Sequence, residues 1–239
     1  MRPSRVSPQS RRNGYRVAAN IQLLVCRLAE EPGAAERALL GADERERAAK
    51  FRFDLHRNRY VARHGWIRRQ LARRYGGAPR DLDFDPGVHG KPRLRGAWAR
   101  RGGFNASSSQ DYALLGLDPR GEIGVDIECI RPFKDAADFA AHSFSDSERR
   151  QARSPAAFFR IWTRKEAFLK CTGLGLVDDL ASLQVGSRNS RRPLRYTDAA
   201  GVLHVCYLWT WVLDAPPRAI SVASPRPLPP ELEPETEAP

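Results

Sequence analysis

The sequence predicts an α+β fold, and three observations predict it. Two long segments carry apolar residues at helical spacing, and short runs of alternating apolar residues stand before, between and after them. A chain of 239 residues has room for one large domain or for two intimately packed halves. Ile21, Leu23 and Val25 alternate along a first strand. A long helix is then expected from about 43 to 75, with Tyr60, His64, Ile67 and Leu71 inward and arginines on its other faces. Residues 112 to 128 read as a hairpin, YALLGL and EIGVDIE, joined by Asp118-Pro119-Arg120-Gly121, whose Pro and Gly suit a type I turn. A second helix starts at Ser154-Pro155, with Ser as cap and Pro in the first turn, and runs to the glycines at 173 and 175. Its inward stripe is Phe158, Ile161, Trp162, Lys165, Phe168 and Leu169. Residues 202–213 and 219–223 close the pattern as two strands joined through 214–217. The tails, 1–16 and 225–239, are rich in Arg, Ser, Pro or Glu, have little apolar area to offset ordering entropy, and are expected to be disordered.

Charge is unevenly distributed. The chain carries a formal +12, and between Arg45 and Arg101 there are 17 Lys and Arg against 5 Asp and Glu. Such a block suits an anionic partner, whether nucleic acid, a phosphorylated ligand or an acidic protein; a solvated arginine-rich helix face would read the same way. No apolar run approaches the roughly 18 residues of a membrane span, and the basic start is not followed by an apolar stretch, so a cytoplasmic protein with no membrane partner is expected. Cys26, Cys129, Cys171 and Cys206 stand far apart with no CxxC pair, which fits buried reduced thiols better than a zinc ribbon or a disulfide framework.

The chemistry concentrates in GVDIE, 124–128. On a strand Ile123, Val125 and Ile127 share one face, while Gly124, Asp126 and Glu128 share the other. Alternate residues lie about 6 to 7 Å apart, so the two carboxylates can serve one hard cation but are too close for comfort as bare charges. With Glu166 they make an all-oxygen donor set that favours Mg²⁺ over zinc. Lys165 and Lys170 flank Glu166, and a metal site beside ammonium groups points to phosphoryl chemistry. The plainer alternatives are a solvent-facing strand edge for Asp126 and Glu128 and a surface i,i+4 pair for Glu166 and Lys170.

Five segments in order, GKPRL (90–94), FNASSS (104–109), GVDIE (124–128), FSDSE (144–148) and WTRKEAFLKCTGLGL (162–176), resemble the 4'-phosphopantetheinyl transferase superfamily of the long single-chain type serving peptide and polyketide synthases. The resemblance covers roughly 17–224. It implies two similar α/β halves about a pseudo-twofold axis, 17–121 and 122–224, with coenzyme A in the cleft between them. It implies transfer of the phosphopantetheine arm to a serine of an acyl or peptidyl carrier protein, with release of 3',5'-ADP. Carried over by position, Asp126, Glu128 and Glu166 hold Mg²⁺, Glu166 draws the proton from the serine hydroxyl directly or through water, and Lys170 neutralises or protonates the departing phosphate. Lys165 adds to the field. Arg59 lies near the 3'-phosphate with Arg45, Arg47 and Lys50 as helpers, Lys91 and Pro92 lie along adenine and phosphates, and Ser107 and Ser108 lie at the pyrophosphate. Glu148 matches a family acid whose role is open.

One position departs from the pattern. Where the family often has a histidine, this chain has Ser108, which can donate a hydrogen bond but brings no charge, a loss of about 1 to 2 kcal/mol in coenzyme A binding unless a nearby arginine compensates. The basic block fits both coenzyme A and an acidic carrier, and a chain of two halves has little need to dimerise, so a monomer is expected. Leu174, Leu176 and Val177 suit either carrier docking or the core. Two rival readings remain at this point: a Mg²⁺-dependent nuclease or nucleic-acid binder, which leaves GKPRL and FNASSS unexplained, and a non-catalytic coenzyme A or carrier binder, motivated by Ser108.

Overall fold

The structure is a computed structural model that describes residues 20–87, 90–175, 177 and 179–237. The basic tail at 1–16 and Leu176 lie outside these residues. In chain order the elements are β1 (Gln22–Arg27), α1 (Ala34–Leu39), α2 (Ala42–Ala49), α3 (Asp54–Tyr75), β2 (Phe84–Asp85), β3 (Arg93–Leu94), β4 (Gly103–Ser109), β5 (Tyr112–Asp118), β6 (Gly124–Cys129), α4 (Ala136–Ser143), α5 (Asp146–Gln151), α6 (Pro155–Thr172), β7 (Leu194–Thr197), β8 (Leu203–Leu213), β9 (Arg218–Ser224) and β10 (Pro234–Glu237). Two four-stranded sheets, ordered β10-β1-β5-β4 and β6-β9-β8-β7, and one β2-β3 ribbon result. The α+β class expected from the sequence holds.

Each large sheet carries one long helix. Trp66, Leu71 and Tyr75 of α3 pack with Leu24, Cys26, Leu115 and Leu117 of the first sheet. Ile161, Ala167 and Phe168 of α6 pack with Cys206, Leu208, Ala219 and Ala223 of the second. Between the sheets lies a third cluster, in which Leu23, Val25 and Leu114 meet Ile123, Val125, Ile127, Ile220 and Val222. Strands with both faces buried in this way lose the apolar/polar alternation of a half-exposed sheet. Among the described residues no helix is long and apolar enough to cross a membrane.

Three expectations are corrected. Residues 112–128 are not a hairpin: β5 pairs antiparallel with β1 on one side and β4 on the other, so both its edges are taken, and β6 crosses to pair with β9 in the facing sheet. The turn at 118–121 does form, with Gly121 N–H bonded to the Asp118 carbonyl at 3.2 Å, and it carries the chain from one sheet to the other. The long helix breaks into α2 and α3. Phe53 is extended, Asp54 begins the new helix where an acid meets the positive helix end, and Phe51 folds back with its ring 5.3 Å from that of Tyr60. The Pro/Glu-rich tail does not stay free of the fold: Pro234–Glu237 add a parallel strand to the open edge of β1, and Leu228 and Leu232 pack on the inter-sheet cluster. A sheet edge recruits backbone groups whatever the side chains, which composition does not register.

Candidate active site

The site is built on the seam where β4, the edge of one sheet, lies beside β6, the edge of the other. Asn105, Ser107 and Ser109 alternate along β4 and turn to β6. Asn105 Oδ1 accepts from Val125 N–H at 2.8 Å, Ser107 Oγ donates to Asp126 at 2.6 Å, and Ser109 Oγ donates to Glu128 at 2.6 Å. Helix α6 lies directly on β6 because residue 124 is glycine; a Cβ there would collide with the Ala167 carbonyl and the Cys171 amide. That close approach brings Glu166 and Lys170, one helical turn apart, over the acids of β6.

Lys170 is the hub. Its ammonium donates to Asp126 Oδ1 at 2.6 Å and to Ser107 Oγ at 3.1 Å, and stands 3.9 Å from Glu166 Oε2. Burial alone would lower the Lys170 pKa, but Asp126, then Glu166 and Glu128, outweigh it and hold the group above its ordinary value. Glu166 is pushed up by burial and then by the Asp126 charge, with Lys170 only partly offsetting them. Glu128 is likewise pushed up, first by burial, with Asp126 adding to it against the Ser109 hydrogen bond. The three acids therefore feel one another around a single ammonium.

They do not form a ready-made metal cage: among the described residues no group of three or more His, Cys, Asp or Glu is placed to hold an ion. The donor set nevertheless suits a hard divalent cation. Asp126 is 3% exposed, and its second oxygen, Oδ2, is buried without a hydrogen-bond partner among the described residues. A bare buried carboxylate oxygen beside two further destabilised carboxylates is a cost that a cation removes.

The raised Glu166 pKa has a consequence for stability. A folded-state value above the unfolded one means that the folded chain holds the proton more tightly. The stability from this group is complete below the ordinary carboxylate pKa and is lost as pH rises through the raised folded value. Glu166→Gln, neutral at every pH, escapes that loss. In chelator, thermal melts of Glu166→Gln should match the parent at acid pH and exceed it at neutral pH, with the gap opening as pH rises. A variant that melts below the parent at neutral pH would contradict this electrostatic picture.

Of the other expected residues, Lys91 and Pro92 line one cavity of about 290 Å³ together with Asn105, Ala106, Glu166, Leu169 and Lys170. Lys91 Nζ bonds Glu122 at 2.5 Å and the Ile123 carbonyl at 3.1 Å, tying the β2-β3 region to the start of β6. Ser108 does not face β6 but accepts from Arg63 of α3 at 2.8 Å. Arg59 pairs with Asp111 at the β4–β5 turn, 2.7 Å away. Arg47 lies near Tyr60, Arg63 and His64, where its charge is felt. Arg45 and Lys50 are not brought in: Arg45 donates to the Leu40 carbonyl, and Lys50 pairs with exposed Glu46. Much of the arginine block is thus matched by nearby acids rather than left as an open patch.

Lys165 is a correction. It is fully buried, pairs with Glu148 at 2.9 Å, and donates to the Leu180 and Leu183 carbonyls, on the inward stripe of α6 and away from Glu166. Helical spacing decides the matter, since neighbours in sequence point about 100° apart on a helix of 3.6 residues per turn. Glu148 also acquires a role. Its carboxylate accepts from Ser145 N–H at 3.0 Å in a capping box and from Val185 and Gly186 N–H at 2.8 and 3.2 Å. It is a buried structural counter-ion.

Three residues received no role from the motifs: Asn105 and Ser109, although both lie in FNASSS, and Arg63, which lies outside the motifs. The first two had a signal, the period of two in Asn105, Ser107 and Ser109; Arg63 had none, because its neighbour across the fold is visible only once α3 is laid on β4.

Comparison with known proteins gives these residues a context. Residues 122–219 match the family model of the 4'-phosphopantetheinyl transferase superfamily. The chain is 39% identical over 146 residues to the 4'-phosphopantetheinyl transferase HetI of Nostoc sp., covering 58% of this chain and 62% of that protein. It is 30% identical over 177 residues to the 4'-phosphopantetheinyl transferase psf-1 of Bacillus pumilus, covering 72% of this chain and 73% of that one. The chain thus spans less than two thirds of the first relative's length and somewhat more of the second's.

Proposed function

Because the chain belongs to the 4'-phosphopantetheinyl transferase superfamily, we propose that it moves the phosphopantetheine arm of coenzyme A onto a serine hydroxyl of an acyl or peptidyl carrier protein, releasing 3',5'-ADP. The observation that carries this reading is the cluster of Asp126, Glu128 and Glu166 around Lys170, opening on a cavity shared with Lys91 and Pro92. Coenzyme A lies in the seam between two halves related by a pseudo-twofold axis, each a sheet with one long helix.

Asp126, Glu128 and Glu166 are the residues that would hold Mg²⁺, which supplies positive charge to the diphosphate when bound. Glu166 accepts the proton of the attacking serine hydroxyl, its carboxylate standing beside the Lys170 ammonium at the mouth of the cavity. The serine oxygen forms a bond to the phosphorus of the phosphopantetheine arm as the bond from that phosphorus to the bridging oxygen breaks. The electron pair leaves with 3',5'-ADP. Lys170, held protonated by its acidic neighbours, meets the charge that develops on that departing phosphate. Ser107 keeps the Lys170 ammonium and the Asp126 carboxylate in register. An acidic carrier surface suits the positively charged chain, and association should slow as salt rises. The protein acts as a monomer in the cytoplasm, where its four free, buried cysteines stay reduced.

Intact-protein mass spectrometry tests the reading. A panel of apo carrier proteins is incubated with the protein, coenzyme A and Mg²⁺. At least one carrier should gain the mass of a single phosphopantetheine arm on its serine. Binding of coenzyme A without modification of any carrier would reject transfer in favour of a binding protein, and cleavage of DNA or RNA in its place would favour a nuclease.

A further inference from the structure

Under α6 a row of polar side chains, Arg164, Thr210, Ser221 and Thr163, is buried beside the apolar Leu208, Ala219 and Ala223. Arg164 Nη1 donates to Thr210 Oγ1 at 3.0 Å, and Thr210 Oγ1 lies 2.8 Å from Ser221 Oγ. Ser221 Oγ lies 2.8 Å from Thr163 Oγ1, which donates to the Arg160 carbonyl at 3.3 Å. The two ends fix the direction of the protons between them. A guanidinium only donates, a carbonyl only accepts, and each hydroxyl has one proton. All four bonds are therefore made together only if Thr210 donates to Ser221 and Ser221 donates to Thr163. The head of the chain is anchored independently. Asn189 Oδ1 accepts from Thr210 N–H at 2.9 Å and its Nδ2 donates to the Thr210 carbonyl at 2.8 Å, as a neighbouring strand would, because β7 pairs with β8 only from Leu203 to Cys206.

This chain of hydroxyls passes beside the acids. Ser221 of β9 stands opposite Asp126 of β6 in the sheet register. Opposed side chains on one face of a sheet have Cβ atoms about 4.5 to 5.5 Å apart, which a hydroxyl–carboxylate hydrogen bond can span. That bond is not made. Asp126 Oδ1 accepts from Ser107 and Lys170, and Oδ2 has no hydrogen-bond partner among the described residues. A serine next to a buried carboxylate would ordinarily donate to it, since a hydrogen bond to an ionised acceptor is stronger than one to a neutral hydroxyl. Here its only proton is committed to Thr163. We propose that Arg164, Thr210 and Thr163 are positioning residues that hold the Ser221 proton away from Asp126 and so keep Oδ2 bare for the divalent cation, an assignment that rests on the metal reading above.

Uptake of Mn²⁺ by the full chain with coenzyme A present, read from the electron paramagnetic resonance of the free ion, tests it without turnover. Thr163→Val keeps the shape of the side chain but cannot accept, so Ser221, still accepting from Thr210, turns its proton to Asp126. A cation must then displace a hydrogen bond to a charged group, and Mn²⁺ affinity should fall by about tenfold to a hundredfold. Thr163→Ser, which keeps the acceptor, should restore parental uptake. Combining Thr163→Val with Ser221→Ala removes the turned proton and should recover most of the loss, although the core is altered further; damaged packing alone would not behave so. Neutron diffraction from deuterated crystals of the parent should place the Ser221 deuteron toward Thr163. If Thr163→Val, folded by circular dichroism, takes up Mn²⁺ as the parent does, the hydroxyl chain does not govern the cation, and the metal reading survives. A double variant no better than Thr163→Val makes the loss a packing effect and overturns the proposal. So does a Ser221 deuteron directed at Asp126, a result that decides the matter even where Thr163→Val does not fold. A parent that takes up no Mn²⁺ overturns both readings.

Discussion

Asp126→Ala is expected to lower the rate of carrier modification by about a thousandfold or more, the scale seen when a preorganised charge-stabilising group is removed from an active site. One Asp126 oxygen holds Ser107 and Lys170 in place, and the other is the bare oxygen that meets no donor among the described residues. Its loss removes a carboxylate from the donor set and leaves Lys170 with Glu166 at 3.9 Å as its nearest acid. The fold should survive. Asp126 lies on the face of β6 opposite the inter-sheet cluster, and Lys170 retains enough exposure, 28% of its side chain, to be hydrated. Initial rates measured by mass spectrometry, with circular dichroism as a check on folding, would settle it. A folded Asp126→Ala protein that modifies its carrier at near the parental rate would remove Asp126 from the site.

Glu148→Ala should have the largest effect on stability, with no direct part in chemistry. The substitution leaves the Lys165 ammonium buried at zero exposure without its counter-charge, and strips the Val185 and Gly186 amides of their acceptor. Breaking a buried pair from one side costs about 3 to 5 kcal/mol. Against a domain stability of about 5 to 15 kcal/mol, that is more than half of what is available at the lower end. The Lys165 pKa, lowered by burial, shows how strongly the site already opposes the charge that Glu148 sustains. Urea denaturation of Glu148→Ala should give a large fall in midpoint. The double variant Glu148→Leu with Lys165→Met, which replaces both charges by apolar groups, should recover much of it. A single-variant loss below about 1 kcal/mol, as for an exposed pair, would contradict the buried counter-ion assignment.

The sequence made the local features legible and hid the long-range ones. Ser154, Pro155 and Gly173 mark the ends of α6 in the residues themselves, because cap chemistry is decided within one turn: Ser154 Oγ accepts from Ala157 N–H, and Gly173 sits at φ 73°. The two faces of GVDIE are likewise local, since alternation belongs to any strand. Strand pairing is not local. The turn at 118–121 looks like a hairpin because its residues suit a reversal, while the choice of β9 over β5 as partner for β6 depends on β1 and β4 already occupying β5. Lys165 was ambiguous for a related reason. It belongs to the inward stripe by spacing and to the site by its neighbours in sequence, and only the buried Glu148, seventeen residues earlier, decides between them. The four residues of β7 and the edge strand β10 carry no strong pattern, as short edge strands held by backbone bonds need none.

In the proposed function Asp126, Glu128 and Glu166 together receive a divalent cation against the diphosphate of coenzyme A. Mn²⁺, whose free form gives a strong electron paramagnetic resonance signal, reports on this without any turnover. In the presence of coenzyme A the parent chain should remove Mn²⁺ from solution, saturating at one ion per protein, while Asp126→Asn and Glu166→Gln, folded by circular dichroism, should leave most of it free. If either variant takes up the ion with the affinity and stoichiometry of the parent, the carboxylate cluster is not where the metal acts.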